Sequence, residues 1–137
     1  MNTDDRIAGS LVMQWWSDYF DDVDTMQGDR YGRWFAEDIE LQFNNAPAIN
    51  GKASVLVFLR EFTHNFSQLH HSHVVLTGNE NHAAGEAVIT FTAHDGAQYA
   101  VRGMTMVTRK QGLFRRMAIY ADFSPLYAAL QDKQSAA

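Results

Sequence analysis

The chain has 137 residues, 46% of them hydrophobic and 20% charged, with three Trp, five Tyr, nine Phe, six Met, no Cys and a formal net charge of -5. That length suits one domain, which buries roughly 70% of the surface its extended chain exposes, and so apolar a chain is not a disordered one. The absence of Cys excludes disulfides and thiolate metal sites. The excess of 16 Asp and Glu over 11 Lys and Arg argues against a partner held by its phosphate backbone, so no nucleic acid is expected.

The longest apolar runs, Val55 to Leu59 and Met117 to Ala121, fall far short of the ~20 residues that span a bilayer, so no membrane span is expected. The chain opens with Asn2, Thr3, Asp4 and Asp5, the reverse of the basic start of a signal peptide, and a cytoplasmic location is the expectation.

Over residues 3 to 27, Val12, Trp16, Tyr19, Val23 and Met26 recur at helical spacing. Leu11, Trp15 and Phe20 widen the stripe, with Asp18, Asp21, Asp22 and Asp24 on the other side. The pattern predicts a long amphipathic helix, with Asp4 and Asp5 in its first turn and Gly28 as its stop. A short second helix is expected at about residues 29 to 37. From Ile39 the period becomes two, since Ile39, Leu41 and Phe43 alternate with Glu40, Gln42 and Asn44, a strand ending at Asn45, Ala46 and Pro47. After the Asn50-Gly51 turn, Val55, Phe58, Leu59, Phe62 and Phe66 return to helical spacing, and this third helix ends near Phe66.

Four strands follow, at about 68 to 77, 84 to 93, 98 to 109 and 113 to 122, divided by Gly78-Asn79, Asp95-Gly96 and Gln111-Gly112, turns short enough to make them antiparallel neighbours. Ser124 and Pro125 open a last short helix through Leu130, and a polar, flexible tail is expected at about 131 to 137. The order predicts an α+β fold in one domain, residues 1 to 137, with a curved antiparallel sheet packed on three helices and a cavity that suits a small molecule.

The element order, the segment Trp34-Phe35-Ala36-Glu37-Asp38, the turn from Asn45 to Gly51, and the run Ile119-Tyr120-Ala121-Asp122-Phe123-Ser124-Pro125-Leu126-Tyr127 resemble the NTF2-like superfamily, in its SnoaL-like and ketosteroid-isomerase-like branch. The resemblance covers nearly everything from about Leu11 to Leu130. It implies a cone-shaped fold, usually a homodimer, and a small-molecule role with no cofactor. It does not choose among polyketide cyclases, isomerases, dehydratases, epoxide hydrolases and non-catalytic binding modules.

Set against the family's patterns, Phe43 falls where a ketosteroid isomerase keeps its aspartate base, and Met104 falls near its oxyanion-holding acid. Glu86 and Val88 stand where limonene-epoxide-hydrolase-like members carry an Arg-x-Asp pair. What does match is a His at the start of the strand after the third helix. Within Leu69-His70-His71-Ser72-His73 it aligns with His71, or with His70 if the register slips.

Strand alternation puts His71 and His73 on one face with Leu69 and Val75, and His70 on the other with Ser72 and Val74. An imidazole takes or gives a proton near neutrality, which makes His71 the candidate acid or base; its plainer reading is a polar histidine of the sheet or of a dimer interface. Two imidazoles at His71 and His73, about 6 to 7 Å apart along a strand, are compatible with a metal, but spacing marks no third ligand and no metal site is expected. Asp122 is a candidate to orient the histidine or to act as a second acid or base, and Tyr19 to donate to an oxyanion. Their plainer readings are a turn carboxylate and a core phenol.

Trp15, Trp16, Phe43, Phe58, Met104, Met106 and Tyr120 are the candidate pocket wall. Arg102 either pairs with Glu86 across strands or faces the cavity as a binder of acidic oxygens. Two readings remain open. One is a cofactor-independent enzyme moving a proton on a carbonyl-bearing polyketide-like or terpenoid-like substrate, by cyclisation, isomerisation or dehydration. The other is a dimeric binding module for a small apolar or carbonyl-bearing molecule.

Overall fold

The structure is a computed structural model that describes residues 11–136, with side chains described for residues 14–131. The expected first-turn acids Asp4 and Asp5 lie outside the described residues. Helix α1 spans Leu11–Asp24, and a four-residue helix α2, Gly28–Tyr31, is followed by a 3-10 turn at Gly32–Trp34. Strands β1 (Phe35–Phe43) and β2 (Ile49–Asn50) precede helix α3 (Lys52–Thr63). Four long strands follow, β3 (Phe66–Gly78), β4 (His82–Ala93), β5 (Gln98–Lys110) and β6 (Leu113–Ala121), and then helix α4 (Ser124–Ala136). No helix among the described residues is long and apolar enough to cross a membrane.

The six strands form one sheet in the order β2-β1-β6-β5-β4-β3. Its hairpins are antiparallel, but β1 runs parallel to β6, so the sheet is mixed rather than wholly antiparallel. The parallel pair arises because the chain returns to β1 only after α3 and three hairpins, and enters β6 in the direction of β1.

One face of the sheet is buried beneath the helices. On β4 the odd positions Ala83, Gly85, Ala87, Ile89, Phe91 and Ala93 are buried and the even positions between them are half-exposed, the period-two pattern of a sheet covered on one side. Helix α1 sets Trp15, Trp16, Tyr19 and Phe20 against that face. Gly85 makes the approach possible, since a Cβ there would lie 2.6 Å from the Trp16 ring.

Several boundaries differ from the sequence expectation. Helix α1 stops at Asp24, before Gly28, because Met26 takes a left-handed turn at φ 61°. β1 starts at Phe35, with Phe35 and Ala36 buried. Phe66 opens β3 instead of closing α3, and packs on Phe91 at 4.9 Å. Helix α4 continues beyond Leu130 to Ala136, through the segment read as a tail.

Two groups of side chains knit the layers. Asp22, read as a solvent-facing acid, is only 8% exposed. It accepts the indole N–H of Trp34 at 2.9 Å and the Arg33 guanidinium at 3.3 Å, with Arg30 at 3.5 Å. Past the end of β1, the Asn44 side chain accepts the Ala121 N–H at 2.9 Å and donates to the Ala121 carbonyl at 2.8 Å. It thereby extends the β1–β6 pairing while its own backbone sits at φ 49°.

Asn44→Ala loses both bonds and places a Cβ residue without side-chain support in the left-handed region. It is expected to cost about 2–3 kcal/mol in urea unfolding. Asn44→Gly, which tolerates that backbone, should cost about 1 kcal/mol less; equal losses for the two variants would contradict this account.

Candidate active site

Strand β3 directs Leu69, His71 and His73 inward, opposite Phe91, Ile89 and Ala87 of β4. Between His73 and Val75 the register shifts by a bulge. One extra residue inverts the alternation beyond it, so Val75 is 52% exposed instead of sharing the face of the two histidines, and Leu76 joins the core.

The end of α1 brings Asp24 against this strand. Its Oδ1 lies 2.7 Å from His71 Nδ1, and its Oδ2 accepts the His71 backbone N–H at 3.0 Å. An ionised carboxylate can only accept, so Nδ1 carries the proton and the ring's second nitrogen, Nε2, is left for other work. The His71 side chain is 10% exposed, packs on Phe20 with ring centroids 4.7 Å apart, and contributes to a cavity wall. On the outer side, His70 Nδ1 stands 3.6 Å from Asp24 Oδ2 with its side chain 72% exposed.

The cavity lies where the two hydrophobic clusters of the core meet. Tyr19, Phe20 and Val23 line it from the last turns of α1, Met26 from the turn that follows, and Tyr31 from α2. Phe43, Phe62, Ile89, Phe91, Met117 and Phe123 contribute to the remaining wall. The cavity volume is about 80 Å³, several waters' worth of space that one small ring compound would take up. Its polar groups are few: His71, Tyr19, Tyr31, Thr63 and Thr105. Burial pushes the Tyr19 phenol well above its ordinary range and raises that of Tyr31, so both stay protonated.

His73 is differently engaged. The Trp16 indole N–H donates to its Nε2 at 2.8 Å, which requires a lone pair there, and Phe20 packs against its ring at 4.6 Å. Burial, and secondly the neighbouring His71, lower its pKa to about 4, with Asp24 opposing. It is thus a neutral packing histidine beside the dyad.

The residues singled out from sequence separate into three groups. His71, Tyr19 and Phe43 line the cavity, although Tyr19 gives its hydroxyl to Met117 Sδ at 3.4 Å. Trp15 and Trp16 are buried in the core, Trp15 beneath the Arg109 guanidinium at 4.3 Å, and Phe58 packs edge-on against Phe43 at 5.0 Å.

Asp122, Arg102, Met104, Met106 and Tyr120 are not brought to the cavity. Asp122 is exposed and accepts the Ser124 N–H and hydroxyl at 3.0 and 2.6 Å, bonds that depress its pKa as it anchors the start of α4. Arg102 points out beside Glu86, 3.7 Å away. Met104, Met106 and Tyr120 fall on the outer sheet face, because the inward positions of β5 and β6 are Val101, Gly103, Thr105, Met117 and Ile119.

Sequence reasoning missed Asp24 and Tyr31. Asp24 follows Phe20 by four residues and Trp16 by eight, spacings that put it on the edge of the apolar stripe and not opposite it. Tyr31 sits in a helix too short to show a period.

A family model described as the SnoaL-like domain matches residues 16–117. A protein from Xanthomonas campestris pv. campestris, provisionally named a polyketide cyclase, superposes with a TM-score of 0.75 at 19% identity over 85% of this chain and 94% of its own. An NTF2-like protein of unknown function from Burkholderia pseudomallei K96243 gives 0.74 at 11% identity over 88% and 97%. TerC, co-crystallised with polyporic acid, gives 0.71 at 10% identity over 85% and 95%. At such identities the likeness shows a shared fold. No curated protein matches the chain.

His73 sets a pH dependence of stability. Between its ordinary 6.5 and about 4, the unfolded chain binds a proton that the folded chain refuses. The contribution is therefore intact above 6.5 and is lost as pH falls toward 4. His73→Gln keeps an acceptor for Trp16 and removes the titration, so its urea midpoint should fall less than that of the wild type between about pH 7 and about pH 4.5. Parallel losses would contradict the assignment.

Proposed function

The chain belongs to the SnoaL-like domain family, and from that premise we propose that it is a cofactor-independent enzyme acting by proton transfer on a small carbonyl-bearing substrate of polyketide-like or terpenoid-like type. His71 moves the proton and Asp24 positions His71. The observation that carries this reading is the double contact of the Asp24 carboxylate with the ring and backbone of His71 at the wall of an apolar cavity.

With Nδ1–H held by Asp24, Nε2 accepts a proton from carbon next to a carbonyl, or returns one to an enolate or to a leaving hydroxyl. The carboxylate favours the imidazolium that forms in between, as in other His–carboxylate pairs. Asp24 thus takes the orienting role that the sequence suggested for Asp122, whose carboxylate is committed to Ser124. The aromatic wall excludes water and binds a flat apolar skeleton. A neighbour provisionally named a polyketide cyclase and another holding polyporic acid support an oxygenated cyclic compound as the ligand class.

The alternative, a dimeric binding module with the same ligands, is favoured by one observation: Phe43, with Phe62 and Phe123, lines the cavity at the position of the steroid isomerase base. The same experiment separates the two readings.

With 2-tetralone as probe in D2O, the wild type should accelerate exchange of the protons beside the carbonyl above the buffer rate. Asp24→Asn should lower that rate about 10²-fold, and His71→Ala should abolish it. Binding without accelerated exchange would favour the module, and full exchange by His71→Ala would remove the assignment of the base.

We further assign the outer sheet face, where Met104, Met106 and Tyr120 are 38%, 46% and 40% exposed, to a second copy of the chain. Sedimentation should give a dimer that Met104→Lys with Met106→Lys converts to monomer; a monomeric wild type would contradict this.

A further inference from the structure

Tyr31 ends the short helix α2, is 4% exposed, and lines the same cavity as His71. Its hydroxyl is buried and has no hydrogen-bond partner among the described residues. The other polar groups of the wall are mostly in use: Tyr19 donates to Met117, Thr63 to the Leu59 carbonyl at 3.0 Å, and His71 Nδ1–H to Asp24. A phenol shut away from water with no acceptor destabilises the fold relative to a phenylalanine, so its presence asks for a ligand that completes it.

Two further facts define that ligand. Burial keeps the Tyr31 phenol protonated, with Arg60 only partly opposing, so the group has a proton to donate. Among the described residues no Lys or Arg lines the cavity, and Arg60, whose charge is felt at Tyr31, stands outside that lining. A carboxylate there would have no lysine or arginine in contact with it, and a neutral oxygen is the acceptor that costs least to bury.

We propose that the Tyr31 hydroxyl is the oxygen-recognition point of the cavity, donating a hydrogen bond to the carbonyl or enol oxygen of a flat, otherwise apolar ligand. The proposal deepens the proton-transfer reading, and rests on it only in that the ligand's exchangeable proton then faces His71. A site built to hydrogen-bond an oxygen discriminates strongly against the analogue that lacks it, because the donor is then left unpaired.

The test compares 2-tetralone with tetralin, which has the same bicyclic shape and no oxygen, by calorimetric titration of wild type, Tyr31→Phe and His71→Ala, with a thermal melt of each. Wild type should bind the ketone about tenfold or more tightly than the hydrocarbon. Tyr31→Phe should bind tetralin as the wild type does, lose the preference for the ketone, and melt no lower than the wild type. His71→Ala should keep the preference.

A ketone preference that survives in Tyr31→Phe overturns the proposal while leaving His71-dependent exchange standing. So does a markedly lower melting temperature in Tyr31→Phe, which would mean that the hydroxyl has a structural partner. Failure of the wild type to bind either compound overturns it as well. If exchange proves independent of His71 but the preference still vanishes in Tyr31→Phe, the recognition role stands and the proton-transfer reading falls.

Discussion

The carboxylate of Asp24, at the last residue of α1, reaches β3 and takes both the ring Nδ1–H and the backbone N–H of His71. One group thereby ties the end of the helix layer to the sheet and fixes the tautomer of the imidazole beside the cavity. The contact depends on α1 stopping there, which Met26 enforces by turning left-handed two residues later. It depends equally on β3 keeping a regular alternation from Leu69 to His73 before the bulge. A helix one residue longer, or a bulge two residues earlier, would aim the carboxylate or the imidazole elsewhere.

Packing around that contact explains why the site is open at all. The Trp16 ring approaches the sheet at Gly85 and gives its indole N–H to His73, while the two imidazoles stack 6.2 Å apart and Phe20 packs against both. These rings belong to one hydrophobic cluster or pack beside it. Phe43, Phe91 and Phe123, with Phe62 packed against them, form the second cluster, in which Phe43 and Phe123 stack at 5.3 Å. The gap between the two clusters is walled by large, stiff side chains that do not close it, and the few polar groups facing it stand out against an apolar background, where an unpaired donor or base is energetically conspicuous.

Much of the fold was legible because its periods are clean. The alternation of Ile39, Leu41 and Phe43, and the turn residues between the later strands, place β1 and the four long strands within a few residues of their observed limits. What escaped has physical reasons. The parallel pairing of β1 with β6 is a long-range choice that local pattern does not encode. The bulge after His73 adds a residue without changing composition, and so moves Val75 to the outer face. Met104, Met106 and Tyr120 look like wall residues until the register of β5 and β6 is known, since a strand's two faces differ by a single step.

The site divided in the same way. His71 could be singled out because a histidine in an apolar strand is chemically conspicuous. Its partner could not, because Asp24 lies 47 residues away in a run of aspartates that reads as a solvated helix face. The account therefore stands on the state of one imidazole, and ¹⁵N–¹H correlation spectra of the side-chain nitrogens at neutral pH test it without any substrate. The account predicts that His71 is protonated on Nδ1, with Nε2 bare while the ring is neutral, and that Asp24→Asn alters this preference. A neutral His71 protonated on Nε2, or a tautomer indifferent to Asp24→Asn, would contradict it.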